Sequence, residues 1–213
     1  MLSEIIVPLQ YQMNICVMCK FSNESKEKLG NTIIYIAKHT KKLSKTKLLK
    51  LLFLMEERMT KQYHVPFLAI PYEVWSMGPV AKDVFIDLSD GPYLLKDYVS
   101  TETQDGCTYI KASKEFNDDE FSECEIQMMD DVLKHYGEMN AKQLVEETHQ
   151  VGSLWRNKAI ENDLLKSFKD GTANNSDVII DFSEGMAPCS KEDYLESLNI
   201  HQTANILKAH AHV

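Results

Sequence analysis

The chain has no run of 18 apolar residues, so no stretch of it reads as a transmembrane helix. It also lacks the sequence signatures of the common catalytic scaffolds. There is no HExxH, no GxSxG, no GxGxxG and no P-loop. Five cysteines spread over 213 residues are too few and of the wrong parity for a disulfide scaffold. Cys16 and Cys19 form a CxxC with no second pair, whereas a structural zinc needs four ligands. The same motif lacks the βαβ context of a redox pair. No metal and no cofactor is therefore expected.

The N-terminus is not a secretory signal. Glu4 stands where a positive region belongs, and Pro8, Gln10, Gln12 and Asn14 interrupt any apolar stretch. A cytoplasmic protein with no membrane contact is the expectation. Met13 and Met18 are alternative starts. At 44% apolar and 26% charged residues, the chain can build one core, as one domain with appendages. The ten methionines read as core filling rather than an adaptable surface.

Charge is unevenly placed. Up to His64 there are 11 Lys/Arg against 5 Asp/Glu; beyond it there are 12 against 27. This predicts a basic and an acidic face. The net charge of −9 disfavours general nucleic-acid binding, whose affinity comes mainly from phosphate contacts. The segment Lys38–Lys50 remains a basic patch for docking or for nucleic acid.

Periodicity predicts an α+β fold: a predominantly helical single domain with a small antiparallel sheet or hairpin. Residues 1–22 form an irregular arm. Asn23 or Ser25 caps a first helix with Leu29, Ile33, Ile36 and Ala37 on one face. Ser44 caps a second, running to about Gln62, whose apolar residues nearly encircle it; such a helix is buried. Lys50 is the odd residue there. It must snorkel, pair with a carboxylate such as Glu73 or Glu147, or lie on an exposed strip.

Tyr72–Met77 alternates like a strand. Gly78-Pro79 then reads as a corner opening a helix, with Val80, Val84, Phe85 and Leu88 on its apolar face. Free amides there are a possible anion site. Leu94–Thr103 and Cys107–Ser113 form a hairpin about Asp105-Gly106. Asp118 or Ser122 opens a helix ending at Gly137. Asn140 with Gln143 makes a capping-box start for another, ending near His149. Ser153 caps a short turn with Trp155. Asp177–Phe182 is a strand candidate, and Ser190 with Asp193 caps a C-terminal helix containing Tyr194, Leu195, Leu198 and Leu207.

Candidate chemistry is sparse. Asp118-Asp119-Glu120 and Asp130-Asp131 read as solvated charge. His149, at a helix end, reads as a hydrogen-bonded structural histidine before a catalytic base. His210 and His212 alternate, so they do not share a helix face. No catalytic residue is assigned. An enzyme would need Lys50, His149 and acidic groups to converge in one pocket.

Leu48-Leu49-Lys50-Leu51-Leu52-Phe53, then Trp75-Ser76-Met77-Gly78-Pro79-Val80, then Thr148-His149 with Trp155, resemble the Panacea antitoxin domain family of SocA-like antitoxins and GepA-type phage-associated proteins. Order and spacing agree over about residues 25–165. The resemblance implies a Panacea-like domain over 23–165 and a C-terminal extension over 166–213 packed on it. It implies a bacterial, phage-associated, non-enzymatic protein that neutralises a cognate toxin by protein-protein interaction. One branch of the family delivers its toxin to a Clp-type protease as an adaptor. Relatives with an added N-terminal zinc or helix-turn-helix module have more chain there than this arm. Lys50, Tyr72, Trp75, Gly78, Pro79, Thr148, His149 and Trp155 are the candidate interaction residues. The identity of the toxin and any homo-oligomer stay open.

Overall fold

The computed structural model describes residues 22–89 and 91–210. The N-terminal arm with Cys16 and Cys19, both alternative starts and His212 lie outside the described residues. No helix among the described residues is long and apolar enough to cross a membrane.

Helix α1 spans Asn23–His39. Ser22 caps it, its Oγ accepting the Ser25 amide at 3.1 Å, one to three residues before the expected caps. Helix α2, Lys45–Tyr63, starts at the expected Ser44 cap and stops where His64 turns into the left-handed region at φ 56°. Every residue from Lys47 to Glu56 is buried. The helix runs through the middle of the molecule, with α1 and the segments 78–80, 82–87, 107–112, 123–136 and 141–148 packed around it. Each fully buried Leu or Phe contributes about 1.5–3 kcal/mol, so this helix anchors the fold.

Strands β1 (Glu73–Trp75) and β2 (Gly78–Val80) form a tight antiparallel hairpin, with Trp75 opposite Gly78. This corrects the expected Gly-Pro helix corner. Pro79 lies in a strand, which is tolerated because the hairpin has only two strands and needs few ladder amides. Helix α3, Lys82–Asp87, begins three residues after Pro79.

Strands β3 (Val99–Gln104) and β4 (Cys107–Ala112) pair about Asp105 (φ 51°) and Gly106 (φ 75°), the left-handed pair that a two-residue turn requires. Strand β3 begins five residues later than expected. The Asp87 carboxylate explains this: it accepts the amides of Tyr93, Leu94 and Leu95 at 2.9, 2.7 and 3.1 Å and bends that segment.

Helix α4 (Glu123–Tyr136) opens on a Ser122/Glu125 capping box, and α5 (Ala141–Thr148) on an Asn140/Gln143 one. Helix α6 spans Leu154–Glu161 and α7 spans Leu164–Lys169, a helix that periodicity did not reveal. None of its residues is fully buried, so it leaves little amphipathic signal.

The expected strand at 177–182 is reduced to one bridge, Ile179 opposite Glu73. The segment still edges β1, because Val178 O accepts the Val74 amide and the Ile180 amide reaches Tyr72 O, both at 2.9 Å. Helix α8, Pro188–His210, starts ahead of the expected caps, with proline at its first position. The described residues thus form eight helices and two small antiparallel sheets, an α+β, predominantly helical architecture.

Candidate functional site

The motif residues converge on the β1–β2 hairpin. Three side chains from three separate places reach its carbonyls. Lys50 Nζ of α2 donates to Pro79 O at 2.7 Å. Trp155 Nε1 of α6 donates to Trp75 O at 3.0 Å. His149 Nε2, just beyond α5, lies 3.2 Å from Ser76 O. A two-stranded hairpin is marginal by itself, and these bonds staple it to the helical core.

Lys50 is 1% exposed. It neither snorkels nor lies on an exposed strip, and its partner is a backbone carbonyl rather than Glu73 or Glu147. Glu73 is taken by Lys82 Nζ at 3.2 Å and by Trp75 Nε1 at 2.8 Å. Glu147 accepts from Gln150. Burial pushes the Lys50 pKa down from 10.5 to about 7, because the ammonium has lost its hydration and has gained no carboxylate.

Gly78 explains how the hairpin approaches this closely. Its φ is 94°, and a Cβ there would sit 2.8 Å from both Lys50 Cε and Thr148 Oγ1. Both the backbone angle and the contact demand glycine. Its amide belongs to a strand, so the alternative of an anion site at a helix start does not form. Thr148 is buried and returns its hydroxyl to Val145 O at 3.0 Å.

The His149 ring is held between two carbonyls, with Nδ1 on Val145 O and Nε2 on Ser76 O. It packs against Trp155, with ring centroids 3.7 Å apart. Burial is the main cause that lowers its pKa below the usual 6.5; the two carbonyls oppose the shift, and Lys50 adds to it. A neutral imidazole has one N–H, so only one of the two carbonyls is served at neutral pH.

Tyr72, Lys50 and Trp155 are 0%, 1% and 2% exposed and offer a partner no surface. Trp75 is half-buried, edge-on to Phe85 with centroids 5.0 Å apart. Beside it at the hairpin tip, Met77 is 58% exposed, and Val151 next to His149 is 90% exposed. Met77 lies within the Trp75–Val80 motif without being a candidate interaction residue, and Val151 lies outside every motif. A lone apolar residue in a loop carries no periodic signal.

The basic segment does not form one patch. Lys38 pairs with Glu115. Lys45 reaches Ser89 Oγ at 2.7 Å and lies over the Phe85 ring. Lys47 is buried on Gly137 O, and Lys50 is interior. Lys41 and Lys42 are left exposed. Two larger grooves, of about 590 and 510 Å3, are lined by none of the motif residues. Among the described residues no group of three or more His, Cys, Asp or Glu is placed to hold a metal, and Cys107, Cys124 and Cys189 are free and exposed. The chemistry on display is therefore hydrogen bonding that fixes a hairpin.

The family model described as antitoxin SocA-like, Panacea domain, matches residues 48–156, just over half of the chain. The matched stretch begins at the apolar run of α2 and ends one residue after Trp155, so it encloses every motif residue of the hairpin junction. No curated protein and no solved structure matches the chain.

Proposed function

The chain belongs to the SocA-like antitoxin family with the Panacea domain, and on that premise we propose that it neutralises a cognate toxin by binding it directly, without catalysis of its own. The observation that carries the reading is family membership together with the fate of the motif residues. Lys50 and His149, the ionisable groups of the motif, are spent on backbone carbonyls, Lys50 on Pro79 of the hairpin and His149 on Val145 of α5 and Ser76 of the hairpin. They serve as architecture, which leaves recognition to what the scaffold displays. Binding energy at such a surface concentrates in a few apolar or aromatic anchors, and the exposed Met77 and Val151, each within two residues of a motif residue, are the candidates.

The experiment is co-expression with the product of the neighbouring gene. Growth arrest by that product alone, relieved when this protein is present, is the expected result. No toxicity, or no relief, overturns the reading. Toxin half-life then separates two mechanisms. Masking leaves it unchanged, whereas delivery to a Clp-type protease shortens it in protease-competent cells.

A further inference from the structure

A cavity of about 180 Å3, lined by none of Lys50, His149 and Trp155, lies between the Ala69–Pro71 segment, residues 179–182 and α8. Glu56 of α2 lines it and is only 1% exposed. Its carboxylate accepts the amides of Phe67 and Leu68 at 2.9 and 2.8 Å, and no described cation pairs with it. Burial raises its pKa; those amides, and Lys28 at longer range, oppose the rise. The Tyr72 hydroxyl is buried, feels the Glu56 charge and has no hydrogen-bond partner among the described residues. A buried carboxylate without a counter-ion is a costly arrangement that an entering cation would relieve.

The lining narrows the class of that cation. The Asp181 carboxylate is engaged by Ser183 and Lys191, so Glu56 is the acceptor, and Ile180, Phe182, Tyr194 and Leu198 supply an apolar wall. This combination suits a charge at the end of an aliphatic stem, which buries its methylenes and brings its head to oxygen. The volume is below the roughly 300–1,000 Å3 of cofactor and drug-sized sites, and it matches one side chain. The surroundings favour a basic visitor: Glu192, Asp193 and Glu196 are exposed on α8, and the chain beyond His64 carries 27 acidic against 12 basic residues. Ile179, on the cavity wall, is 47% exposed. One wall, with Glu56, falls within the family match; the other, residues 179–202, falls outside it.

We propose that this cavity is an anchor for the toxin and receives one of its lysine side chains, the ammonium pairing with Glu56. The proposal rests on the antitoxin reading and names the chemistry that the partner presents.

Glu56→Gln would also disturb the Phe67 and Leu68 amides, so the test closes the cavity from α8 with Leu198→Trp. The full chain is titrated with N-acetyl-lysine-N-methylamide and with its neutral counterpart N-acetyl-norleucine-N-methylamide while backbone amide resonances are followed. The lysine compound is expected to shift the Phe67 and Leu68 amides saturably, and the norleucine compound to bind at least tenfold more weakly. Leu198→Trp should abolish the shift. No saturable shift, or equal binding of the two compounds, overturns the proposal. In co-expression with the neighbouring-gene toxin, folded Leu198→Trp protein should lose rescue; rescue equal to wild type overturns the anchor. A wild-type protein that rescues nothing overturns the antitoxin reading itself, and the titration still decides whether the cavity takes a lysine.

Discussion

The Nζ of Lys50 lies 2.7 Å from the carbonyl oxygen of Pro79, a donor on the central helix joined to the backbone of a strand 29 residues away. Only 1% of the lysine is exposed, and no carboxylate completes the arrangement. The contact makes the hairpin's seat on α2 depend on a group that burial holds near its neutral form.

Stability should therefore rise with pH through the interval set by Lys50. Its folded pKa of about 7 is below its ordinary 10.5, so the unfolded chain binds more protons between those values. Unfolding free energy then increases with pH there, with a slope of at most about 1.4 kcal/mol per pH unit. Below about pH 7 the full penalty is present. Lys50→Met removes the titration and leaves the Pro79 carbonyl unpaired, which costs about 1–3 kcal/mol. Urea melts of both proteins at pH 7, 8 and 9 should show the wild type gaining stability relative to the variant as the pH rises. A constant difference would contradict the assignment.

Gly78→Ala should destabilise more than Gly152→Ala. Both positions have positive φ, 94° and 85°, so both substitutions pay backbone strain. Only at Gly78 does the new methyl meet other atoms, 2.8 Å from Lys50 Cε and Thr148 Oγ1. The Gly152 substitution should cost about 1 kcal/mol and the Gly78 one about 2–4 kcal/mol. Equilibrium denaturation of the two variants checks the ordering.

Trp155→Phe removes the donor to Trp75 O and leaves that carbonyl short of a partner. A loss of about 1–3 kcal/mol is expected from the bond and the vacated volume. Fluorescence follows the same geometry. Trp155 is 2% exposed and Trp75 is half-buried, so the emission left in Trp75→Phe should lie to the blue of that left in Trp155→Phe.

Nucleic acid should not be retained by the Lys38–Lys50 segment. Four of its lysines are engaged or buried, and Lys41 and Lys42 stand alone at the surface. Two charges give too few phosphate contacts for steeply salt-dependent binding. A gel shift at low salt that Lys41→Glu with Lys42→Glu abolishes would overturn this expectation; no shift agrees with it.

Legibility in the sequence followed the range of the signal. Ser44, Asn140 with Gln143, and Asp105-Gly106 act on neighbours within a few residues, and each sits where it was read. The α2 apolar surround was equally plain, because burial of a helix on all sides is a property of its own composition. Gly78-Pro79 was misread. Gly-Pro suits a helix start as well as a strand, and the choice lay with Lys50, Thr148 and His149, remote in sequence. The start of β3 was missed for the same reason: the Asp87 carboxylate binding Tyr93–Leu95 is a tertiary event.

By itself the sequence determined the helical plan, the turns and the resemblance to an antitoxin family, because caps, periodicity and motif order are local or linear. Only the tertiary structure decided what the motif residues do. Whether Lys50 meets water, a carboxylate or a carbonyl depends on which atoms surround it, and desolvation acts in space rather than along the chain. The same holds for Glu56, an ordinary acidic residue in the sequence that the fold buries against a cavity.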